Sequence, residues 1–164
     1  MYIYQADTYC DKCGEDICRQ LGEKTSNAYV QRVNGGEADY PDHCGSHEDC
    51  LDAEVLPSGN KVGHFFGNEL TMDGIKYLEE KANEGITEVV QLWLDYYSKI
   101  YNLHIQKNIE DCENDDEVTY NGRKYIVGNI HKIGMIDPKM KRIITDEEDE
   151  RFLLPFGTKV TVKL

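Results

Sequence analysis

Two cysteine pairs, separated by a long polar stretch, constrain this chain more than any other feature. Cys10 and Cys13 stand three residues apart, and Cys44 and Cys50 stand six apart. The intervening residues 22–43 are rich in Gly, Asn and Asp, which predicts a loop too long to keep one shape without a clamp. Tetrahedral zinc needs four ligands, and two separated pairs supply them. The sequence therefore predicts one zinc ion bound by these four cysteines.

The first pair has the Cys-x-x-Cys-Gly pattern that is typical of a zinc knuckle. In such a turn both thiolates face one ion and backbone amides donate to sulfur, and Gly14 is expected to supply a positive φ. The second pair is spaced more widely than the usual two to four residues. Four thiolates would fill the coordination sphere, so we expect a structural rather than a catalytic metal.

Three further side chains near these pairs are alternative zinc ligands. His43 and His47 flank Cys44, and Cys18 follows the first pair. A site of three cysteines and one histidine therefore stays open beside the four-cysteine site. Our interpretation of Cys18 is a small buried apolar residue, and that of Cys112 is a lone thiol.

The spacing of apolar residues predicts two helices in the middle of the chain. Thr71 is the expected N-cap of the first helix, which ends before Gly85. Thr87 is the expected N-cap of the second, whose apolar positions extend to Leu103 on more than one side. The second helix should therefore pack on at least two faces.

Strand signals lie on both sides of these helices. We expect a strand within residues 2–9, a short helix at 15–21 and a hairpin whose arms are 53–56 and 62–66. Towards the end of the chain, Asn121-Gly122 between two β-favouring runs is a strong hairpin signal, and Asp137-Pro138 predicts a turn. Further strands are expected at 143–144, 152–154 and 159–163.

Together these patterns predict an α+β protein. It would have a zinc-stapled N-terminal region, two central helices and a small antiparallel β-sheet or SH3-like barrel at the C-terminus. The predicted domains are a zinc-binding α+β domain at 1–109, an acidic linker at 110–117 and a small antiparallel β domain at 118–164.

Charge and composition limit the function classes. The net charge is −13, and residues 1–60 alone carry 12 acidic and 4 basic side chains. Nucleic acid is therefore an unfavourable partner for the protein as a whole. No apolar run is long enough for a membrane span, and the first residues lack the features of a secretory signal, so we expect a cytoplasmic protein. No catalytic motif is present, which favours a protein that is not an enzyme.

Four segments resemble a family of short proteins of bacteria, phages and other mobile elements. They are MYIYQADTYCDKCG, DYPDHCGSHEDCLDAEVL, GNELTMDGIKYLEE and VVQLWLDYY, within residues 1–103. The resemblance places both cysteine pairs at matching positions and implies that they form the family's shared site. It implies no activity, and the part from 110 to 164 lies outside it.

Three functions follow as hypotheses. The first is a non-enzymatic zinc-binding adaptor with a protein partner, in which the acidic front favours a basic surface. The second is an acidic inhibitor that imitates nucleic acid and occupies a host defence or nucleic-acid-binding protein; its candidate residues are Asp146, Glu147, Glu148, Asp149 and Glu150. The third is RNA or single-stranded DNA binding by a basic stripe with Tyr120 and Tyr125 for base stacking; its candidate residues are Arg123, Lys124, Tyr125, Lys132, Lys141 and Arg142. The oligomeric state is left open.

Overall fold

The computed structural model describes residues 1–132, 140–146, 148 and 150–164, and for 130–132 and 140–143 only the backbone. The predicted turn at Asp137-Pro138 lies outside this part. The helices described are α1 (Asp11–Leu21), α2 (Glu23–Tyr29), α3 (Met72–Glu84) and α4 (Glu88–Tyr97). None of the helices in these ranges is long and apolar enough to cross a membrane.

The strands are short in the first half of the chain and longer in the second. In order they are β1 (Tyr2–Tyr4), β2 (Asp7–Tyr9), β3 (Gln31–Arg32), β4 (Glu37–Ala38), β5 (Glu54–Val55), β6 (Lys61–Val62), β7 (Glu69–Leu70), β8 (His104–Asn108), β9 (Glu117–Tyr120), β10 (Arg123–Lys132), β11 (Met140–Thr145), β12 (Arg151–Pro155) and β13 (Lys159–Lys163). The protein is thus a mixed helix and sheet structure, which confirms the predicted class at this level.

The chain divides into two compact units. The first comprises Met1–Leu78 and Ile86–Tyr96, and the second comprises Glu79–Gly85 and Tyr97–Leu164. This division differs from the boundary predicted at residue 109. The reason is that β8 pairs along its whole length with β13 and therefore belongs to the C-terminal sheet.

The first unit contains only small sheets. β1 pairs with β2 and β3 in antiparallel fashion, β4 pairs with β7 in parallel, and β5 and β6 form the expected hairpin. Two- and three-residue strands bury little apolar surface. This unit therefore needs a further source of stability, which the cysteine cluster described below can provide.

The loop predicted over residues 22–43 is partly wrong, because α2 lies inside it. Gly22, with a φ of 77°, ends α1 and redirects the chain. The amide of Ser26 donates to the Gly22 carbonyl and so begins the next helix, in which Ser26 is buried. The run after Gly22 contains Glu, Lys and Ala, which are good helix formers, and this local preference outweighs the loop-like composition around it.

Threonine caps start both central helices, as predicted. The hydroxyl oxygen of Thr71 accepts the Gly74 amide at 3.1 Å, and that of Thr87 accepts the Val90 amide at 3.3 Å. The second helix is shorter than expected, since α4 ends at Tyr97. Leu103 is fully buried just before β8 rather than in the helix.

The second unit is built on a six-stranded antiparallel sheet with the strand order β12-β11-β10-β9-β13-β8. Its turn between β9 and β10 is the predicted Asn-Gly hairpin, in which Asn121 and Gly122 have φ values of 49° and 76°. In the described pairings β12 and β8 are the two edges of the sheet. The antiparallel alternative of the prediction therefore describes this sheet, and the barrel alternative has no closing strand pair in the described residues.

The acidic segment 110–117 is hydrogen-bonded into this second unit rather than acting as a separate linker. The Glu110 carboxylate accepts the Gly157 amide at 2.8 and 3.0 Å. The Asp116 carbonyl accepts the Val127 amide at 3.0 Å, and Glu117 is the first residue of β9. The composition is that of a solvated linker, yet these backbone and carboxylate groups find donors in neighbouring strands.

Gly14 is required for a reason that differs from the predicted one. It lies inside α1 without a positive φ, and a Cβ atom at this position would overlap the ring of Tyr2. The missing side chain thus lets β1 pack closely on the helix that carries Cys13.

We expect Gly14→Ala to destabilise the protein by about 1–3 kcal/mol, although alanine favours helix, because the Tyr2 ring must move. Gly36→Ala is the matched control, since a Cβ there meets nothing within 4 Å and the φ is not positive. Urea unfolding followed by circular dichroism measures both. Equal unfolding free energies for the two variants would contradict the close approach.

Candidate metal centre

The four cysteine sulfurs predicted as ligands come together in the first unit. All four Sγ atoms lie within 4.8 Å of one another. The Sγ of Cys50 is 3.6 Å from that of Cys10 and 3.7 Å from that of Cys13. Each cysteine is buried, with exposed fractions from 0% for Cys44 to 8% for Cys50. Residues up to 40 positions apart along the chain are thus gathered at one point.

The separations of 3.6 and 3.7 Å match those between sulfurs in a tetrahedral metal site. Zinc–sulfur bonds of about 2.3 Å in a tetrahedron place neighbouring sulfurs about 3.8 Å apart. A disulfide would bring two sulfurs to about 2.05 Å, and all four cysteines are free thiols. The cluster therefore has the ligand number, ligand type and spacing that a tetrathiolate metal site requires.

Cys10 and Cys13 are placed by the start of α1. Cys10 is the N-cap residue, its carbonyl accepts the Gly14 amide at 2.8 Å, and Cys13 lies in the first turn. The N-terminus of a helix carries partial positive charge, which suits the negative charge of metal-bound sulfurs. Local helix geometry alone thus directs the first pair of sulfurs to one side.

Cys44 and Cys50 are placed by a strand-like contact and a tight turn. The Cys44 amide donates to the His64 carbonyl at 2.9 Å, beside an isolated bridge between His43 and Phe65. A single 3-10 turn at His47–Asp49 then leads back to Cys50. This turn brings Cys50 back to Cys44 although the two residues are six positions apart, the wide spacing that made the sequence signal weaker.

Backbone amides donate to three of the sulfurs. Sγ of Cys44 accepts the Cys10 amide at 3.4 Å, Sγ of Cys13 accepts the Leu51 amide at 3.3 Å, and Sγ of Cys50 accepts the Asp52 amide at 3.4 Å. Such bonds disperse the negative charge that four thiolates would carry beyond that of a divalent ion.

Burial and hydrogen bonds shift the pKa values of three of the cysteine thiols in opposite directions. Burial raises the pKa of the Cys10 and Cys44 thiols, although backbone hydrogen bonds oppose it. Burial acts in the same direction on Cys50, but backbone hydrogen bonds from His64 and Asp52, together with hydrogen bonds from Cys10 and Cys44, outweigh it and lower the pKa of that thiol. A bound cation reverses the cost of burying thiolates, because ligation deprotonates the thiol.

His43 is the alternative ligand that the structure assigns to another task. Its Nδ1 lies 2.6 Å from the Gly63 carbonyl oxygen, and its Nε2 accepts the indole N–H of Trp93 at 2.7 Å. Because a carbonyl can only accept and an indole N–H can only donate, the ring is neutral with its proton on Nδ1. Both nitrogens are therefore occupied. Through its hydrogen bond to Trp93, His43 connects α4 to the segment that carries Cys44.

The other two alternative ligands also lie outside the cluster. His47 is exposed, with a φ of 48°, and Cys18 is half-buried further along α1. Neither belongs to the group of ligand atoms that share one point. Cys112, expected as a lone thiol, is buried and its Sγ lies 3.6 Å from the Asn108 carbonyl oxygen.

Several residues that contribute to the site were not evident from the sequence. Gly63 has no room for a side chain, because a Cβ there would overlap the carbonyl oxygen of Cys44. Tyr9, Ala53 and Phe66 pack against the buried cysteines. These contacts join residues distant in sequence, and a glycine within an apolar run was the only local signal.

The basic stripe in the second unit is partly engaged by the protein itself. Tyr125, expected to stack on bases, is 7% exposed and packs edge-on against Phe152 with ring centroids 5.6 Å apart. Nζ of Lys124 lies 3.2 Å from the Glu117 carboxylate, while Arg123 is exposed. The side chains of Lys132, Lys141 and Arg142 lie outside the described residues.

The acidic residues proposed as a nucleic-acid mimic are described only in part. Oδ1 of Asp146 accepts the amides of Glu148 and Glu150, each at 3.0 Å, and so closes its own turn. Glu147 and Asp149 lie outside the described residues. Asp146 and Glu148 line one cleft of about 360 Å³ together with Arg123 and Lys124, where two cations face two carboxylates.

Comparisons with known proteins add no assignment. No family model, no curated protein and no solved structure matches the chain. The geometry of the site therefore carries the functional argument alone.

We expect cadmium-loaded protein to show ¹¹³Cd coupling to the β-protons of all four cysteines and no coupling to an imidazole. Cd²⁺ replaces Zn²⁺ in thiolate sites, and both nitrogens of His43 are already bonded. Heteronuclear ¹¹³Cd–¹H NMR on the full chain measures this. Coupling to ring protons of His43 or His47 would establish the site of three cysteines and one histidine instead.

Proposed function

We propose that Cys10, Cys13, Cys44 and Cys50 bind one structural zinc ion and that the protein is a non-enzymatic interaction protein. The observation that carries the proposal is the convergence of four buried sulfurs within 4.8 Å of one another. Four protein ligands leave no coordination position for a water molecule, and catalytic zinc requires one. The metal would therefore fold the first unit and take no part in a reaction.

Zinc is the proposed metal on chemical grounds. Four thiolates in a tetrahedron suit zinc, and the same set also binds iron. Zinc is redox-inert and has no geometric preference of its own, which fits a centre whose task is to hold chain segments together. The first unit needs such a centre because its short strands bury little apolar surface.

An interaction role is supported by the surface of the first unit. Large apolar side chains are exposed there, and the unit contains all of the strongly acidic first 60 residues. Tyr29, Leu51, Val55 and Met72 are each more than half exposed. Exposed apolar groups among carboxylates are typical of a surface that meets a basic protein partner. The family resemblance stays part of this proposal and would place that partner in the biology of phages or mobile elements.

The two alternative functions have less support. For nucleic-acid binding, the buried position of Tyr125 removes one of the two tyrosines expected to stack on bases. For mimicry, Asp146 is committed to its own turn and shares a cleft with Arg123 and Lys124. Among the described residues of the two sets, the charges are mixed, because Arg123 and Lys124 share one cleft with Asp146 and Glu148.

The metal proposal predicts one zinc ion per chain in protein purified without chelator. A mercurial reagent releases the ion for colorimetric titration, and elemental analysis distinguishes zinc from iron. Cys44→Ser should lose the metal and unfold the first unit, because three ligands and one hydroxyl bind zinc weakly. Cys18→Ser lies outside the cluster and should keep both the bound metal and the folded first unit. Well under one metal ion per chain in the unmodified protein would overturn the proposal.

The interaction role predicts a protein partner whose capture does not depend on nucleic acid. Tagged protein is used to isolate partners from host lysate with and without nuclease, and mass spectrometry identifies them. A defined partner that survives nuclease treatment is the expected result. Partners that vanish with nuclease would instead favour the basic stripe of the second unit.

A further inference from the structure

A groove in the first unit lies between the β5–β6 hairpin and α4. Its volume is about 180 Å³. It is lined by Glu54, Val55, Leu56, Pro57, Glu88, Gln91, Leu92 and Asp95. Leu56 and Leu92 are half-buried, whereas Val55 is 66% exposed. The groove therefore offers an aliphatic surface that remains accessible from solvent.

The charge of the groove is one-sided. Three of its eight described lining residues are carboxylates and none is a cation. Glu88 is committed to the hairpin, because its two oxygens accept the Ser58 amide at 2.8 Å and the Ser58 hydroxyl at 2.5 Å. Asp95 remains as a charge that can meet an entering group, and so does Glu54, whose Oε1 lies 3.7 Å from Nδ1 of His64. Oδ1 of Asp95 accepts Nε2–H of the Gln91 side chain, and a carboxylate has capacity for further donors.

We propose that this groove binds an arginine side chain of a protein partner, with an aliphatic residue on either side of it. An arginine has an apolar stem that can lie on Val55, Leu56 and Leu92, and a planar guanidinium that pairs with carboxylates. The guanidinium is also more weakly hydrated than the ammonium of lysine, which favours it in a half-buried groove. This inference rests on the proposed interaction role and names the chemistry of the partner.

Both walls of the groove are attached to the metal centre. β5 follows Cys50 after three residues, and α4 is held through Trp93 to His43, the neighbour of Cys44. The Ser58–Glu88 contacts then join hairpin to helix. A groove whose walls are already fixed loses little conformational entropy on binding.

The test is a methyl-detected NMR titration of the full chain, as purified, with the peptide acetyl-Leu-Arg-Leu-amide. Saturable shifts centred on the methyl groups of Val55 and Leu92 are expected. The same peptide with citrulline in place of arginine keeps the shape but loses the charge, and it should bind about tenfold more weakly. Glu54→Gln combined with Asp95→Asn should weaken arginine-peptide binding by a similar factor.

Asp73→Asn is the matched control, since Asp73 is an exposed carboxylate on α3 outside the groove. It should leave binding within about twofold of the unmodified protein. Equal binding of the citrulline peptide, an unchanged affinity in the double variant, or shifts scattered over the acidic surface would each overturn the groove assignment.

Metal content measured on the same sample separates this inference from the metal proposal. One zinc ion per chain without saturable binding overturns the groove and leaves the metal centre standing. Saturable binding in protein that carries no metal supports the groove and overturns the zinc proposal.

Discussion

The convergence of four sulfurs is the constraint on which the first unit depends. The segments that carry them are a helix start, a strand-like contact and a single 3-10 turn, none of which is stable alone. Closing the long segment between Cys13 and Cys44 removes conformational freedom from the unfolded chain as well as fixing the folded one. A small unit whose strands have two or three residues can then keep one conformation.

The surroundings of the sulfurs are as specific as the sulfurs themselves. Two glycines, Gly14 and Gly63, allow neighbouring groups to approach more closely than any side chain would permit. His43 connects the second cysteine pair to α4 by a hydrogen bond to Trp93, 50 residues away. Amide donors to sulfur and a neutral histidine beside the cluster give the centre a fixed shape before any partner is considered.

Local signals in the sequence predicted local features well. The threonine caps and the Asn-Gly turn each depend on residues close together in the chain, and each was found where it was predicted. The four-cysteine cluster joins distant pairs and was predicted from the number of ligands that a tetrahedral metal needs. Other features that depend on distant residues were missed. The pairing of β8 with β13 and the burial of Tyr125 against Phe152 are set by which strands become neighbours, and periodicity within one strand does not contain that information. The helix α2 was missed because the composition around it resembles a loop.

The place of β13 within the second sheet has a consequence for how the protein forms. This strand lies between β9 and β8 and pairs with both, although it comes last among the strands in sequence. During synthesis β8 must therefore wait, with its pairing edge exposed, until about 50 further residues have left the ribosome. The acidic residues at 110–117, which immediately follow β8, repel like segments of other chains during that interval. Residues 110–117, which are later hydrogen-bonded into the second unit, would thus reduce aggregation of the nascent chain.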